Sequence, residues 1–198
     1  MARVVRLATP EDAAGVQAIY APFVAGTAVS FEADPPTVAE MRDRIERTLA
    51  GWPWLVCDDG GRVAGYAYGS RHRERTAYQW SADVSVYIAP EHHRMGIGHA
   101  LYTALLALLV AQGFCNAYGG ITLPNAGSVG LHERMGFARV GVYQQVGFKF
   151  GQWHDVGWWH LRLATPAGDP APPRPFPAIA GGGACATALA KGTALLQD

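Results

Sequence analysis

The stretch SADVSVYIAPEHHRMGIGHALYTALLALLV, residues 81–110, joins a strand-like run to an apolar helix through a loop with two glycines. The run from Ser85 to Ile88 predicts a strand, and the run from about Gly98 to Gln112 predicts a helix that Gly113 ends. A strand that enters a helix through glycines can present backbone N–H groups and the positive end of the helix dipole to one anion. The stretch therefore predicts an anion-binding loop, with a glycine turn that binds nothing as the alternative.

The spacing of the glycines excludes two familiar phosphate-binding motifs. A P-loop ends in Gly-Lys-Ser/Thr, whereas Gly98 is followed by His99 and Ala100. The dinucleotide fingerprint needs a third glycine where Leu101 stands. The ligand that remains is a pyrophosphate on a different carrier.

Local signals predict the rest of the domain. Thr9 followed by Pro10, and Thr37 with Glu40 three residues later, are typical of helix starts. The turn Asp-Asp-Gly-Gly at 58–61 joins two β-rich runs into a hairpin. The predicted strands are 4–7, 54–57, 63–68, 85–88, 117–121, 138–143 and 156–163, and the predicted helices run to about Phe23 and over 37–49, 98–112 and 126–135. This order predicts an α/β domain with a mixed sheet.

Composition and charge bound the class of protein. With 198 residues, of which 49% are hydrophobic, the chain suits one substantial core. Sixteen basic and sixteen acidic residues cancel, so we expect no nucleic-acid or membrane partner. Cys57, Cys115 and Cys185 lie too far apart to predict a disulfide framework or a zinc site. The first residues lack a signal-peptide core and no long apolar run follows, so we expect a cytoplasmic protein.

The composition changes after Leu163. Six of the thirteen prolines fall between Pro166 and Pro177, and proline disfavours both helices and central strands. We therefore expect a domain at 1–164 and a Pro/Gly/Ala-rich C-terminal tail at 165–198. An extended segment lying on the domain or trailing from it should open this tail, with a weak helix within ATALAKGTALL.

Five segments resemble one family. These are HHRMGIGHAL around the glycine loop and GWPWLV, AYQWSADVSVY, ITLPNAGSVGLHERMGF and GFKFGQWHDVGWW elsewhere. Over residues 4–163 the chain resembles the GNAT superfamily of N-acetyltransferases, and within it the phosphinothricin and methionine sulfoximine acetyltransferases. One departure is His93, which stands where the family motif usually has Gln or Arg. The resemblance implies an α/β GNAT fold, with a mixed, mostly antiparallel central sheet flanked by helices and with splayed central strands.

The resemblance also implies the ligands and their contacts. Acetyl-CoA would be the cosubstrate, a small-molecule amine the acceptor, and the protein a homodimer without a metal. The coenzyme contacts would come from the strand, the glycine loop and the start of a later helix, namely Val86, Tyr87, Ile88, Arg94, Met95, Gly96, Ile97, Gly98, His99, Asn125 and Ser128.

Two residues are candidate catalytic groups, since an amine attacks a thioester only as the neutral base. Asp83 stands where the most similar relatives carry a glutamate proposed as that base. The shorter side chain withdraws the carboxylate by roughly 1.5 Å, which a bridging water can restore. The alternative for Asp83 is a local hydrogen bond to the backbone. His132 occupies the position of a proton donor to the coenzyme thiolate, with a packing histidine as its alternative.

Substrate contacts are predicted in the loop RHRERTAY. Arg73 and Arg75 suit the carboxylate or phosphinate of an amino-acid analogue, and Tyr78 and Phe31 would close the pocket. Solvated surface arginines are the alternative. The expected function is direct acetyl transfer from acetyl-CoA to the α-amino group of phosphinothricin, methionine sulfoximine or methionine sulfone. The alternatives are transfer to another small amine and a non-catalytic acyl-CoA-binding module.

Overall fold

The computed structural model describes residues 2–165 and 168–197. One seven-stranded sheet has the order β1-β2-β3-β4-β5-β7-β6. The strands are β1 (Val4–Leu7), β2 (Trp54–Asp59), β3 (Arg62–Arg71), β4 (Ser81–Ile88), β5 (Asn116–Leu123), β6 (Ala138–Lys149) and β7 (Gln152–Arg162). The helices are α1 (Ala13–Gly26), α2 (Val38–Leu49), α3 (Ile97–Gln112), α4 (Ala126–Arg134), α5 (Pro177–Ala180) and α6 (Gly183–Ala194).

The sheet is mixed and mostly antiparallel, which confirms the expected fold class. Every neighbouring pair is antiparallel except β4 with β5. One core lies between the sheet and α3, and a second lies between the sheet and the helices α1 and α2. The capping box of α2 forms as expected, because the Thr37 side chain accepts the Glu40 N–H while Glu40 accepts the Thr37 N–H at 2.7 Å.

The two central strands separate after a short contact. Ser81 to Asp83 pair with Asn116 to Tyr118, and the ladder then stops. Beyond that point β4 pairs only with β3, and β5 pairs only with β7. The splayed arrangement is therefore present, and Asp83 is the last β4 residue in register with β5.

Strand β4 begins earlier than its sequence predicted. The prediction started at Ser85, whereas the strand starts at Ser81, because β3 pairs back as far as Arg71 with Ala82. Asp83 therefore lies inside a strand. Apolar Ala82 and Val84 alternate with polar Asp83 and Ser85, and this period of two could have predicted the earlier start of the strand.

Strands β6 and β7 also exceed their predicted lengths. A register shift between Tyr143 and Gly147, with Gln145 at a φ of 48°, interrupts the sequence pattern without ending β6. The turn between the strands uses Phe150 and Gly151 at φ angles of 50° and 76°. Local periodicity missed the long hairpin because bulged residues break the alternation.

The C-terminal segment packs against the domain. Phe176, Ile179, Cys185 and Ala188 are buried in the same core as α3. The Thr193 hydroxyl accepts the N–H of Val5 at 2.9 Å, which ties α6 to the first strand. Of the two arrangements expected for the tail, the structure has the one that lies on the domain, although Pro166 and Ala167 lie outside the described residues. Within the described ranges, no helix has the length and apolar character needed to cross a bilayer.

The docking of α6 on α3 depends on Gly192. A Cβ there would lie 2.8 Å from the carbonyl oxygen of Ala100 and 3.0 Å from the Cβ of Ala104. We predict that Gly192→Ala lowers the free energy of unfolding by about 1–3 kcal/mol, since rigid neighbours meet the added methyl group. Gly183→Ala in the same helix is the matched control, because its Cβ would meet no atom within 4 Å. Chemical denaturation that shows equal stability for both variants would contradict this packing.

Candidate functional site

A cleft of about 600 Å³ opens where β4 and β5 separate. Residues of β4, β5, the glycine loop, α3 and α4 form its walls. The backbone of β4 beyond Asp83 lacks a strand partner on this side, so its polar groups face the gap. The cleft is long enough to run from the divergence of the strands to the start of α3, as its wall residues Val84, Ser85 and Arg94 show.

The glycine loop supplies hydrogen-bond donors to one end of the cleft. Gly96 precedes α3 with a φ of 76°. The first amide in this turn that donates a backbone hydrogen bond is that of Ala100, whose nitrogen lies 3.0 Å from the Gly96 oxygen. Within the described chain, the amides of Ile97, Gly98 and His99 have no hydrogen-bond partner. These donors and the helix dipole favour an anion.

The charges around the cleft also favour an anion. Arg94 and Arg134 lie in its wall, and none of the described residues that line it is acidic. The second glycine has a packing role as well, because a Cβ on Gly98 would lie 2.9 Å from the Cδ2 of Leu131 on α4. Gly98 thus allows α4 to approach the end of α3 that carries the free amides.

Most of the predicted coenzyme contacts meet around this one cleft. The wall includes Val86, Tyr87, Ile88, Arg94, Gly96, Ile97, Gly98, His99, Asn125 and Ser128. Met95 is the exception, since it is 47% exposed and does not line the cleft. Asn125 uses its side-chain oxygen to accept the Ser128 N–H at 3.0 Å, so it also caps α4.

His132 is buried below β5, and both of its ring nitrogens have hydrogen-bond partners. Its Nδ1 lies 2.8 Å from the carbonyl oxygen of Ser128, which can only accept, so Nδ1 carries the proton. Its Nε2 lies 3.1 Å from the Tyr102 hydroxyl and accepts that hydrogen in the neutral ring. Burial lowers the pKa of His132, although the backbone bond to Ser128 opposes this. Both nitrogens of the neutral ring are engaged here, as the packing alternative expected, and proton donation to the thiolate stays a prediction.

Asp83 lies on the opposite face of the sheet from His132 and forms a hydrogen bond with His72 that sequence reasoning missed. Its Oδ1 is 2.6 Å from the Nδ1 of His72, and the two side chains are 27% and 11% exposed. Burial raises the pKa of Asp83 by more than His72 and Arg73 lower it. Among the described residues, the alternative expected for Asp83, a local hydrogen bond from its side chain to the backbone, is not found.

The register of β3 and β4 explains this contact. Ser70 pairs with Asp83, so His72, two residues further along, faces the same side of the sheet. The ring of His72 stacks on Tyr118 with centroids 4.3 Å apart. In the sequence His72 lies in the loop RHRERTAY, four residues after the predicted strand 63–68, and only the longer β3 and its register show that it meets Asp83.

The predicted substrate residues divide into two groups. Arg73 lies near the His72–Asp83 pair, since its guanidinium is 5.6 Å from the Trp158 ring and donates to the His72 carbonyl at 2.9 Å. Tyr78 meets the His72 ring edge-on at 6.2 Å. Phe31 instead packs against Gly147 and the ring of His154.

Arg75 lies away from the pair, in a second pocket of about 330 Å³. Arg71, Arg73 and Arg174 also line this pocket, which lies between the loop and the C-terminal segment, so Arg73 borders both this pocket and the His72–Asp83 pair. The structure therefore brings Arg73 and Tyr78 to Asp83, whereas Phe31 and Arg75 face other surroundings.

The hydrogen bonds of His132 predict its titration. A folded-state pKa below the unfolded value of about 6.5 means that the neutral ring stabilises the fold above that pH, and that this contribution is lost as the pH falls through the folded pKa. An NMR titration of the histidine ring signals, assigned with His132→Gln, should show His132 protonating below about pH 6.5. A His132 signal that titrates above this value would contradict the neutral, buried ring.

Comparison with known proteins places these features in a family. The model of the acetyltransferase (GNAT) domain matches residues 5–158. The phosphinothricin N-acetyltransferase of Streptomyces viridochromogenes is 41% identical over 171 residues, which cover 86% of this chain and 91% of the relative. The L-methionine sulfoximine/L-methionine sulfone acetyltransferase of Pseudomonas aeruginosa is 34% identical over 82% of this chain and 96% of its own length.

A solved structure agrees with both. The GNAT superfamily phosphinothricin acetyltransferase from Sinorhizobium meliloti, in complex with AcCoA, superposes with a TM-score of 0.81 at 34% identity and covers 86% of this chain and 94% of its own. The fold, the family model and the relatives agree, and the chain is an acyltransferase that belongs to the GNAT family.

Proposed function

We propose that this acyltransferase moves the acetyl group of acetyl-CoA to the α-amino group of a small amino-acid analogue of the phosphinothricin or methionine sulfoximine type, by direct attack in a ternary complex. The observation that carries the proposal is the position of Asp83 and His72 at the point where β4 and β5 part. This position supports a proton acceptor beside the end of the cleft where the strands part, next to the wall residues Val84 and Ser85. The two relatives, a phosphinothricin acetyltransferase and a methionine sulfoximine/methionine sulfone acetyltransferase, supply the substrate class.

The cleft fits the coenzyme by its donors. The free amides of Ile97, Gly98 and His99 suit a pyrophosphate, and Arg94 adds a positive charge beside them. The unpaired edge of β4 over Val86 to Ile88 suits an extended, amide-containing pantetheine arm. Acetyl-CoA supplies the activated carbonyl, and the residues of this chain hold and orient it.

The proton chemistry lies with Asp83 and His72. An amino-acid amine is mostly protonated near neutral pH and must lose a proton before it attacks. The Asp83–His72 pair lies beside Arg73 and can accept this proton. The leaving thiolate needs no proton from His132, because a thiol with a pKa near 8.5 is a good leaving group on its own.

Arg73 supports recognition of the acidic end of the substrate. Its guanidinium is held by the His72 carbonyl and the Trp158 ring, which leaves other N–H groups for an oxyanion. Tyr78 forms a wall of the same region. Arg75 and Phe31 would contribute only if the loop or the β6–β7 hairpin closes over the substrate.

Release of coenzyme A tests the function. A thiol assay with acetyl-CoA should show saturable turnover on phosphinothricin, methionine sulfoximine or methionine sulfone, and weaker turnover on ordinary amino acids and simple amines. We predict that Asp83→Asn lowers kcat by about two or more orders of magnitude, because the proton-accepting pair loses its charge. Asp43→Asn on the exposed surface of α2 makes the same chemical change away from the cleft and should leave turnover unchanged.

The outcomes separate three functions. Turnover on some other amine, with none on these three compounds, would mean that the protein acetylates a different acceptor by the same reaction. Tight coenzyme binding with no thiol release on any amine would contradict the proposed function and favour a binding module.

We also propose that the protein is a homodimer that pairs through the β6–β7 hairpin. Strand β6 lies at the edge of the sheet. Large apolar side chains point outward along the hairpin, among them Val140, Phe148 and Trp153 at 63%, 61% and 60% exposure. An exposed apolar edge of this kind is typical of an interface, and a second copy offers a matching surface by symmetry.

A charge in this surface should prevent pairing. We predict that Phe148→Glu with Trp153→Glu converts a dimer into a monomer in analytical ultracentrifugation, because two copies would each bury unpaired carboxylates. Val38→Glu, on exposed α2, is the control and should stay dimeric. A wild-type protein that sediments as a monomer at micromolar concentration would refute the dimer.

A further inference from the structure

We infer that the imidazole of His72 takes the proton from the substrate amine through its Nε2, and that Asp83 is a positioning residue that holds the ring. This assignment rests on the proposed acetyltransferase function and names the atom that carries out its proton transfer.

The hydrogen bond between the two side chains fixes the tautomer. Asp83 Oδ1 lies 2.6 Å from His72 Nδ1, and a carboxylate in this position accepts the Nδ1 hydrogen. The neutral ring then has its lone pair on Nε2. Among the described residues Nε2 has no hydrogen-bond partner and is not fully buried, although the side chain as a whole is only 11% exposed. A base needs such a free and accessible lone pair.

Packing fixes the direction of the ring. His72 stacks on Tyr118 at a centroid distance of 4.3 Å and an interplanar angle of 13°. Trp158 and Tyr78 meet it edge-on at 6.1 Å and 6.2 Å. Tyr118 is itself the β5 partner of Asp83 in the last step of the parallel ladder. The ring therefore lies over the divergence of the strands, held by aromatic surfaces as well as by the carboxylate.

The ring also extends the reach of a short acid. One carboxylate oxygen of Asp83 is engaged by His72. The imidazole places a second accepting atom, Nε2, on the far side of the ring from this carboxylate, so the pair reaches beyond the short acid itself. The pair thus works without a longer carboxylic side chain.

The proton and electron pairs balance as follows. The substrate ammonium gives one proton to His72 Nε2, and the nitrogen lone pair then forms the N–C bond to the thioester carbonyl. The carbonyl electrons move to oxygen and return as the C–S bond breaks, which leaves the pair on sulfur. The nitrogen loses its second proton as the amide forms. One of the two protons ends on the thiol and the other passes from His72 to solvent.

The charged and titratable groups that face His72 come from several elements. Asp83 on β4 bonds to its ring, and Arg73 in the loop bonds to its carbonyl. Tyr78 and Tyr118 present their rings to His72 from the loop and β5. His160 on β7 lies on Tyr118 with centroids 4.8 Å apart, and its Nε2 bonds to Asn116 Oδ1 at 3.0 Å, so this nitrogen pairs with an amide and not with a carboxylate.

Removal of the ring nitrogens tests the assignment while keeping the packing. His72→Phe retains a ring to stack on Tyr118 and should lower kcat/KM about a hundredfold or more, with loss of the rise in rate between acid and neutral pH. His160→Phe is the matched control, since it also replaces a histidine stacked on Tyr118, and should keep both the rate and the pH profile. Thermal unfolding of each variant checks that it folds. Full activity of His72→Phe with the wild-type pH profile would overturn the assignment.

A measurement without turnover tests the pair itself. In ¹H–¹⁵N spectra of the histidine rings, His72 should carry its proton on Nδ1 with a low-field shift that Asp83→Asn removes, while Nε2 is unprotonated. A neutral His72 with its proton on Nε2 would overturn the assignment even if the protein is active. Absence of thiol release in the wild type would instead refute the proposed function and this assignment together, so the two failures are distinguishable.

Discussion

The early end of the ladder between β4 and β5 is the constraint on which the rest of the site depends. Parallel strands normally continue to pair, because buried backbone groups need partners. Here each strand keeps its outer partner, β3 for β4 and β7 for β5, so the sheet stays intact while its centre opens. The gap exposes backbone donors and acceptors to a ligand without the need for polar side chains. The first turn of α3 lies at one end of the opening and Asp83 at the other.

Two histidines on opposite faces of this sheet show how environment sets chemistry. His132 faces the core of α3, where a backbone carbonyl and the Tyr102 hydroxyl use both of its nitrogens. A Cβ on Gly119 would collide with its ring, so the glycine makes room for it under β5. His72 has one nitrogen bound to a carboxylate and the other free. The first histidine stabilises the floor of the cleft, and the second has the properties of a base.

The sequence predicted the features that depend on local physical chemistry. The glycine loop, the end of α3 at Gly113 and the capping box of Thr37 follow from backbone conformation and nearby hydrogen bonds, which neighbouring residues determine. The splayed strands came from the resemblance to a family, because no periodicity in β4 shows where its pairing stops. The contact of His72 with Asp83 depends on strand register across eleven residues of chain. Local patterns do not fix that register when a loop of unknown shape intervenes.

The C-terminal segment and the long β6–β7 hairpin were harder to predict for similar reasons. Gly192 weakens the helix signal of α6 because glycine is a poor helix former, yet Gly192 and Ala188 are small enough to let α6 lie close to α3. Bulged residues around Gln145 hide the alternation of β6. In both cases the tertiary partner, and not the local sequence, supplies the stabilisation.

A crystal structure with a non-hydrolysable acetyl-CoA analogue and an amino-acid amine tests the central claim most directly. The account predicts that the pyrophosphate binds the amides at the start of α3, that the acyl group enters the gap between β4 and β5, and that the amine nitrogen lies within hydrogen-bonding reach of His72 Nε2. An acyl group that ends on the His132 side of the sheet, with the amine remote from His72 and Asp83, would contradict it.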